Sequence, residues 1–349
     1  MRISTQAFFE RNAAGMSSLQ QQLFRVQQKL GAGTSFLTPS DDPVAAARAL
    51  GVAQSMSEGA QYAASRGRAV QSLSMEEGAL QSATGILQEV KTLVVQAGNG
   101  TMSDADRSTI ATALEGQFAQ LLRTANTDDG NGQYLFAGFQ SATPPFVQQA
   151  DGSVGYAGDL GQRLIQVDVS RQMAATDDGA TVFRSVQGSA RHVPVAGPLN
   201  AGSGVFSAVS VSDGKDYTLT FGPAGQYTVD DGTTATTGTF TAGQPIEVGG
   251  LKIRIDGAPA DGDVFTVASA QASGADVFQA MRDLITTLKA PVTDPVASAR
   301  LANALSTANV KLTNAHDNVL TVRSSVGSRL AELDALKGGG EWRQVVDQT

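Results

Sequence analysis

The sequence predicts an α+β protein in which an elongated helical bundle, built from the N- and C-terminal segments, carries an inserted β-rich outer domain. Three observations lead there. Apolar residues recur every three and four positions up to about Asn126. The period then changes to two, with frequent Gly, Asp and Pro, and the helical period returns at Asp276. At 349 residues the chain also exceeds what one hydrophobic core usually organises.

The first element lies within residues 1–35. Ile3 and Phe8 precede a seam of Met16, Leu19, Leu23, Val26 and Leu30, which step by three, four, three and four. The seam needs burial, yet no compact core surrounds it. An amphipathic terminal segment of this kind is expected to stay disordered in the monomer and to order against another chain, in preference to packing on its own bundle. These seven residues are therefore the candidate assembly set.

The second helix opens at PSDDPVAAARAL. Pro39 and Pro43 lack backbone N–H groups, and Pro43 suits a first turn, where that N–H would have no intrahelical partner. Asp41 or Asp42 can cap the free N–H groups at the positive end of the helix dipole, a contribution of up to about 1 kcal/mol. Leu73, Leu80, Leu87 and Val94, seven apart, extend this helix to Gly98-Asn99-Gly100, with a kink expected near Gly59 or Gly67. Ser103 and Asp106 form a capping-box pattern ahead of Ile110, Leu114, Phe118 and Leu121, a third helix reaching about Asn126.

Residues 141–275 form the predicted β-rich insert. Alternation marks Ile165, Val167 and Val169, then Tyr217, Leu219 and Phe221, then Leu251, Ile253 and Ile255, then Phe265 and Val267. Helical spacing resumes at Val277, Met281, Leu284 and Leu288. From Leu301 to Val326 apolar positions alternate four and three, a stripe about 39 Å long at the helical rise. Such a stripe must lie against helices of comparable length, and those stand before the insert. Residues 36–140 and 276–336 are thus read as one discontinuous bundle domain, and residues 337–349, KGGGEWRQVVDQT, as an atypical tail.

No residue set supports catalysis, cofactor binding or metal binding. The absence of cysteine removes disulfides, thiol chemistry and Cys-ligated metals. His192 and His316 fall in different predicted domains. The three Asp-Asp-Gly triplets, at 128–130, 177–179 and 230–232, lack a calcium-loop continuation and are expected to be turns. GDLGQR and GGLKIR lack a phosphate-loop context. A net charge of −8 without a run of three basic residues argues against nucleic acid. No apolar window reaches membrane-spanning length, and the N-terminus lacks the apolar segment of a secretory signal. The expected function is assembly, not enzymatic.

Three stretches carry a family resemblance: MRISTQAFF, LGAGTSFLTPSDDPVAAARAL and YLFAGFQSATPPF. Together they resemble the flagellar hook-associated protein 3 family of the flagellin-like superfamily. The likeness covers residues 1–146 and 276–336, with the fragment DGDVFTV at 261–267 inside the insert. It implies a non-catalytic structural subunit of the bacterial flagellum, an adaptor between hook and filament needed for filament assembly and motility. The implied neighbours are the first hook-associated protein, flagellin, an export chaperone and further copies of the chain in a ring of about eleven. The implied location is extracellular, reached by type III export without a cleaved signal peptide.

The resemblance further implies that the N-terminal segment pairs with an extreme C-terminal helix as a coiled coil. Helices like Pro43–Gly98 and Pro295–Leu336 would form the next shell, and the β domain would face outward. The chain departs from this pattern after Leu336, where the family continues with a long amphipathic helix, so the N-terminal seam is expected to lack that partner. Two other readings of the residues are a filament flagellin and a secreted binding module or adhesin with a helical stalk.

Overall fold

The protein is described from a computed structural model. It covers residues 5–33, 38 and 42–348, and of the side chains those of residues 7–33, 38 and 42–338. Ile3, Pro39 and Asp41 lie outside the described residues. The chain divides into two units, residues 1–63 with 338–349, and residues 64–337.

In the first unit, α1 runs from Thr5 to Ala32 and ends at Gly33, whose φ of 65° suits glycine. The next helix, α2 (Pro43–Ala97), begins in this unit and continues into the second. Its cap is Asp42, whose Oδ1 accepts the Val44 and Ala45 N–H groups at 3.1 and 3.0 Å. Pro43 occupies the first helical position. The helix runs through Gly59 and Gly67 without interruption.

In the second unit, α2 is joined by α3 (Asp104–Ala125), α5 (Val277–Lys289) and α6 (Pro295–Gln348), of which the residues from 338 onward fall in the first unit. The capping box of α3 is closed in both directions: the Ser103 hydroxyl accepts the Asp106 N–H at 3.2 Å, and the Asp106 carboxylate accepts the Ser103 N–H at 3.1 Å. Leu73, Leu80, Leu87 and Val94 meet Leu114 and Leu121 of α3, Met281 and Leu284 of α5, and Leu312, Val319 and Val326 of α6 in one core. Full burial of each such side chain is worth about 1.5–3 kcal/mol. The helix α6 continues past Leu336 and its following glycines to Gln348.

The core boundary does not follow the change of period at residue 141. The strands β1 (Phe146–Gln148), β2 (Val154–Tyr156), β3 (Leu164–Asp168) and β4 (Arg171–Ala174) and the short α4 (Gly179–Phe183) fold onto the helices, and Phe146, Val167, Met173, Val182 and Phe183 belong to the helical core. Two-stranded ribbons of three to five residues cannot enclose a core of their own, so they bury against the nearest apolar face. Val169, expected in β3, lies beyond its end and is exposed. Phe146 sits at the centre of an aromatic group, with ring centroids 5.6 Å from Phe183 and 5.2 Å from Phe278. Phe136 of the YLFAG stretch packs edge-on against Phe183 at 5.4 Å.

The remaining strands are β5 (Val193–Ala196), β6 (Val205–Val211), β7 (Tyr217–Phe221), β8 (Gln226–Asp230), β9 (Ala235–Thr239), β10 (Pro245–Val248), β11 (Leu251–Asp256) and β12 (Val264–Ala268). They form a five-stranded sheet in the order β5-β12-β7-β8-β9 and a three-stranded sheet in the order β10-β11-β6, with antiparallel pairing throughout. The inward residues Tyr217, Leu219, Phe221, Ile253, Ile255 and Phe265 build a second core.

Candidate functional site in the long helices

Helix α1 presents an apolar stripe to solvent. Phe8, Met16, Leu19, Leu23, Val26 and Leu30 are all exposed, from 53% at Val26 to 77% at Leu30. Phe9 and Phe24 widen the stripe. A 28-residue helix with so exposed an apolar face is marginal in water and gains stability when that face is covered.

Helix α6 has two working faces. Its apolar face, Leu305 through Val326, enters the helical core. Its other face holds the backbone of the β region. Asn303 accepts the Phe206 N–H at 3.0 Å and donates to the Gly204 carbonyl at 2.8 Å. Asn314 makes the same pair of bonds to Arg191, at 3.0 and 2.8 Å. Asn318 donates to the Thr181 and Val182 carbonyls at 2.8 and 3.0 Å and accepts from Gln187 Nε2 at 2.7 Å. Thr307 Oγ1 donates to the Pro194 carbonyl at 2.6 Å, and Lys311 Nζ to that of Ser273 at 2.7 Å. Burial holds the Lys311 ammonium below the ordinary lysine value, opposed by the charges of Asp283 and Asp276.

None of these residues enters the apolar pattern from which α6 is read. The signal was nevertheless present: Asn303, Thr307, Asn314 and Asn318 step by four, seven and four along one face. Asparagine is a poor mid-helix residue because its amide competes for backbone partners, so three of them on one helix face point to backbone partners elsewhere.

The second Asp-Asp-Gly triplet is not a turn, which corrects the sequence expectation. Asp178 caps α4, its Oδ1 accepting the Thr181 N–H at 2.8 Å. Asp177 is buried and paired with Arg329 of α6, and its N–H donates to Oε1 of Glu76 on α2 at 3.1 Å. Glu76 is fully enclosed. Burial first, and the Asp177 charge second, raise its carboxyl to about 9, while Arg329 acts in the opposite direction. The other two triplets are turns: Gly130 and Gly232 have φ of 79° and 81°, and Asp128 and Asp230 accept their N–H groups at 3.0 and 2.8 Å.

The histidines occupy separate surroundings. His316 is buried on α6 with its Nε2 3.5 Å from Gln88 Nε2, and His192 lies 4.0 Å from the Asp216 carboxylate. Among the described residues no group of three His, Asp or Glu side chains could hold a metal ion, and no helix is long and apolar enough to cross a membrane.

Residues 3–141 match the bacterial flagellin N-terminal helical region. Flagellar hook-associated protein 3 of Salmonella typhimurium is 31% identical over 344 residues, 98% of this chain and 84% of that protein. The Xanthomonas campestris FlgL crystal structure superposes with a TM-score of 0.76 at 28% identity, covering 84% of this chain and 97% of that one. The flagellar junction protein FlgL of Legionella pneumophila gives 0.74 at 25% identity, covering 88% and 99%. Since the likeness in sequence and in fold extends through both helical segments and the region between them, the chain belongs to the flagellar hook-associated protein 3 family.

Proposed function

We propose that the chain is the adaptor subunit at the junction between flagellar hook and filament, a structural protein whose work is to be assembled rather than to turn over a substrate. Family membership supports the place in the flagellum. The observation that carries the assembly role is the uncovered apolar stripe of α1. On this reading residues 1–35 enter the assembly as an ordering segment, with Phe8, Met16, Leu19, Leu23, Val26 and Leu30 as its contact face. The helical core within residues 64–337 acts as the body on which the β-rich region is carried, and that region faces outward in the assembly. The partners are the first hook-associated protein on one side and flagellin on the other, with about eleven copies closing a ring. An export chaperone covers the chain before type III secretion, which uses no cleaved signal.

Electron microscopy of cells lacking the gene, with an assay of flagellin in the medium, tests the reading. Bare hooks and released flagellin are expected. Normal filaments on the deleted strain would refute it.

A further inference from the structure

The place where α2, the segment after β4 and α6 converge holds an unbalanced set of charges. Glu76 of α2 has no exposed surface, and its two carboxylate oxygens are unequal: Oε1 accepts the Asp177 N–H, while Oε2 has no hydrogen-bond partner among the described residues. From the segment after β4 the charged group facing it is Asp177, and from α6 it is Arg329. Asp177 is committed to Arg329 and also accepts from Gln162 Nε2 at 3.2 Å. Arg329 in turn donates to the Ala174 carbonyl at 3.1 Å. The neighbouring Glu77 is paired elsewhere, with Arg323 at 2.6 Å. One guanidinium therefore serves two carboxyl groups. With Glu76 neutral the enclosed set sums to zero, and with Glu76 ionised it holds an unpaired buried negative charge, which a protein interior tolerates poorly.

We propose that Glu76 is a proton-held latch, in which its neutral carboxyl closes the joint between α2, the segment carrying Asp177 and α6, and loss of that proton opens the joint. The direction of the pH dependence follows from linkage. The folded chain keeps a proton that the unfolded chain releases at an ordinary carboxylate value, so stability is fully present below that value. It is lost progressively as pH rises toward about 9, the folded value of Glu76. The latch is thus tightest in mild acid and loosest in alkali. It joins positions 101 and 253 residues apart along the chain, Glu76 to Asp177 and Glu76 to Arg329.

Urea unfolding of the full chain and of Glu76→Gln at pH 5 to 9 provides the test. Glutamine keeps the acceptor for the Asp177 N–H and cannot ionise. The ratio of the wild-type to the variant unfolding constant is expected to rise by up to tenfold per pH unit across the window. Hydrogen exchange at the Asp177 amide is expected to accelerate with pH in the wild type beyond its intrinsic base catalysis, and not in the variant. A ratio independent of pH would overturn the proposal. Should Glu76→Gln fail to fold, the Glu76 carboxyl carbon-13 shift in the wild type decides: a titration midpoint above 7 supports the latch, and an ordinary carboxylate midpoint overturns it.

Discussion

Replacing Asn303 by alanine tests whether the polar face of α6 holds the β region. The side chain is buried, and both groups it serves, the Phe206 N–H and the Gly204 carbonyl, are on buried residues. Alanine leaves both without a partner. A buried backbone group stripped of its hydrogen bond costs about 1–3 kcal/mol, so two cost roughly 2–6 kcal/mol. Water entering the space of the lost amide recovers part of this, which leaves about 2–4 kcal/mol. Native-state hydrogen exchange reads the effect directly at the Phe206 amide, where this range corresponds to acceleration by about 30- to 1,000-fold. Amides of α3 and α5 provide the internal reference and are expected to change far less, because Asn303 touches neither helix in this network. Less than threefold acceleration at Phe206 would show that the bond contributes nothing net, and the account of α6 as the holder of the β region would fail.

Leu312→Ala, at a position with no exposed surface in the helical core, is expected to lower stability by about 2–5 kcal/mol in urea unfolding. Gly179→Ala places a methyl group 2.6 Å from the Phe146 ring and 3.0 Å from the Phe136 carbonyl, and the strain is expected to cost about 1–3 kcal/mol in the same assay. In the isolated monomer, amide exchange through residues 1–35 is expected to be rapid, and strong protection there would refute partner-dependent ordering. Leu23→Asp is expected to leave the melting of the second unit unchanged within about 0.5 kcal/mol while abolishing filament growth, scored by motility and microscopy.

The helices were readable because burial on a helix needs little more than spacing. Leu73, Leu80, Leu87 and Val94 lie seven apart, and all four are in the core. The same holds for the capping box, where Ser103 and Asp106 are three residues apart and the bond is local. Reading failed where the partner is distant. Asp177-Asp178-Gly179 has the letters of a turn, and its real environment comes from Arg329, 152 residues away. Glu76 and Glu77 are adjacent acids in sequence, yet one is enclosed and the other faces a solvent-accessible arginine. The division of the β region failed for a related reason. Alternation identified Ile165 and Val167 as strand residues but not the core into which they point. For α1 the apolar stripe was legible from its spacing alone, and its described members are exposed.

The partners of Asn303, Asn314 and Asn318 are almost all main-chain groups. Main-chain groups are common to all residues except proline, which lacks the N–H. Through these three asparagines helix α6 grips mainly the course of the chain. A substitution at Arg191 or Thr181 that keeps the local backbone path leaves these bonds in place. The segments these asparagines hold can then change their side-chain chemistry, from charged to neutral or from large to small, without losing alignment with the helical core. A chain built this way separates two demands on one polypeptide: the helical core keeps its shape, and the exposed residues of the β-rich region are free to vary under whatever the surrounding medium imposes.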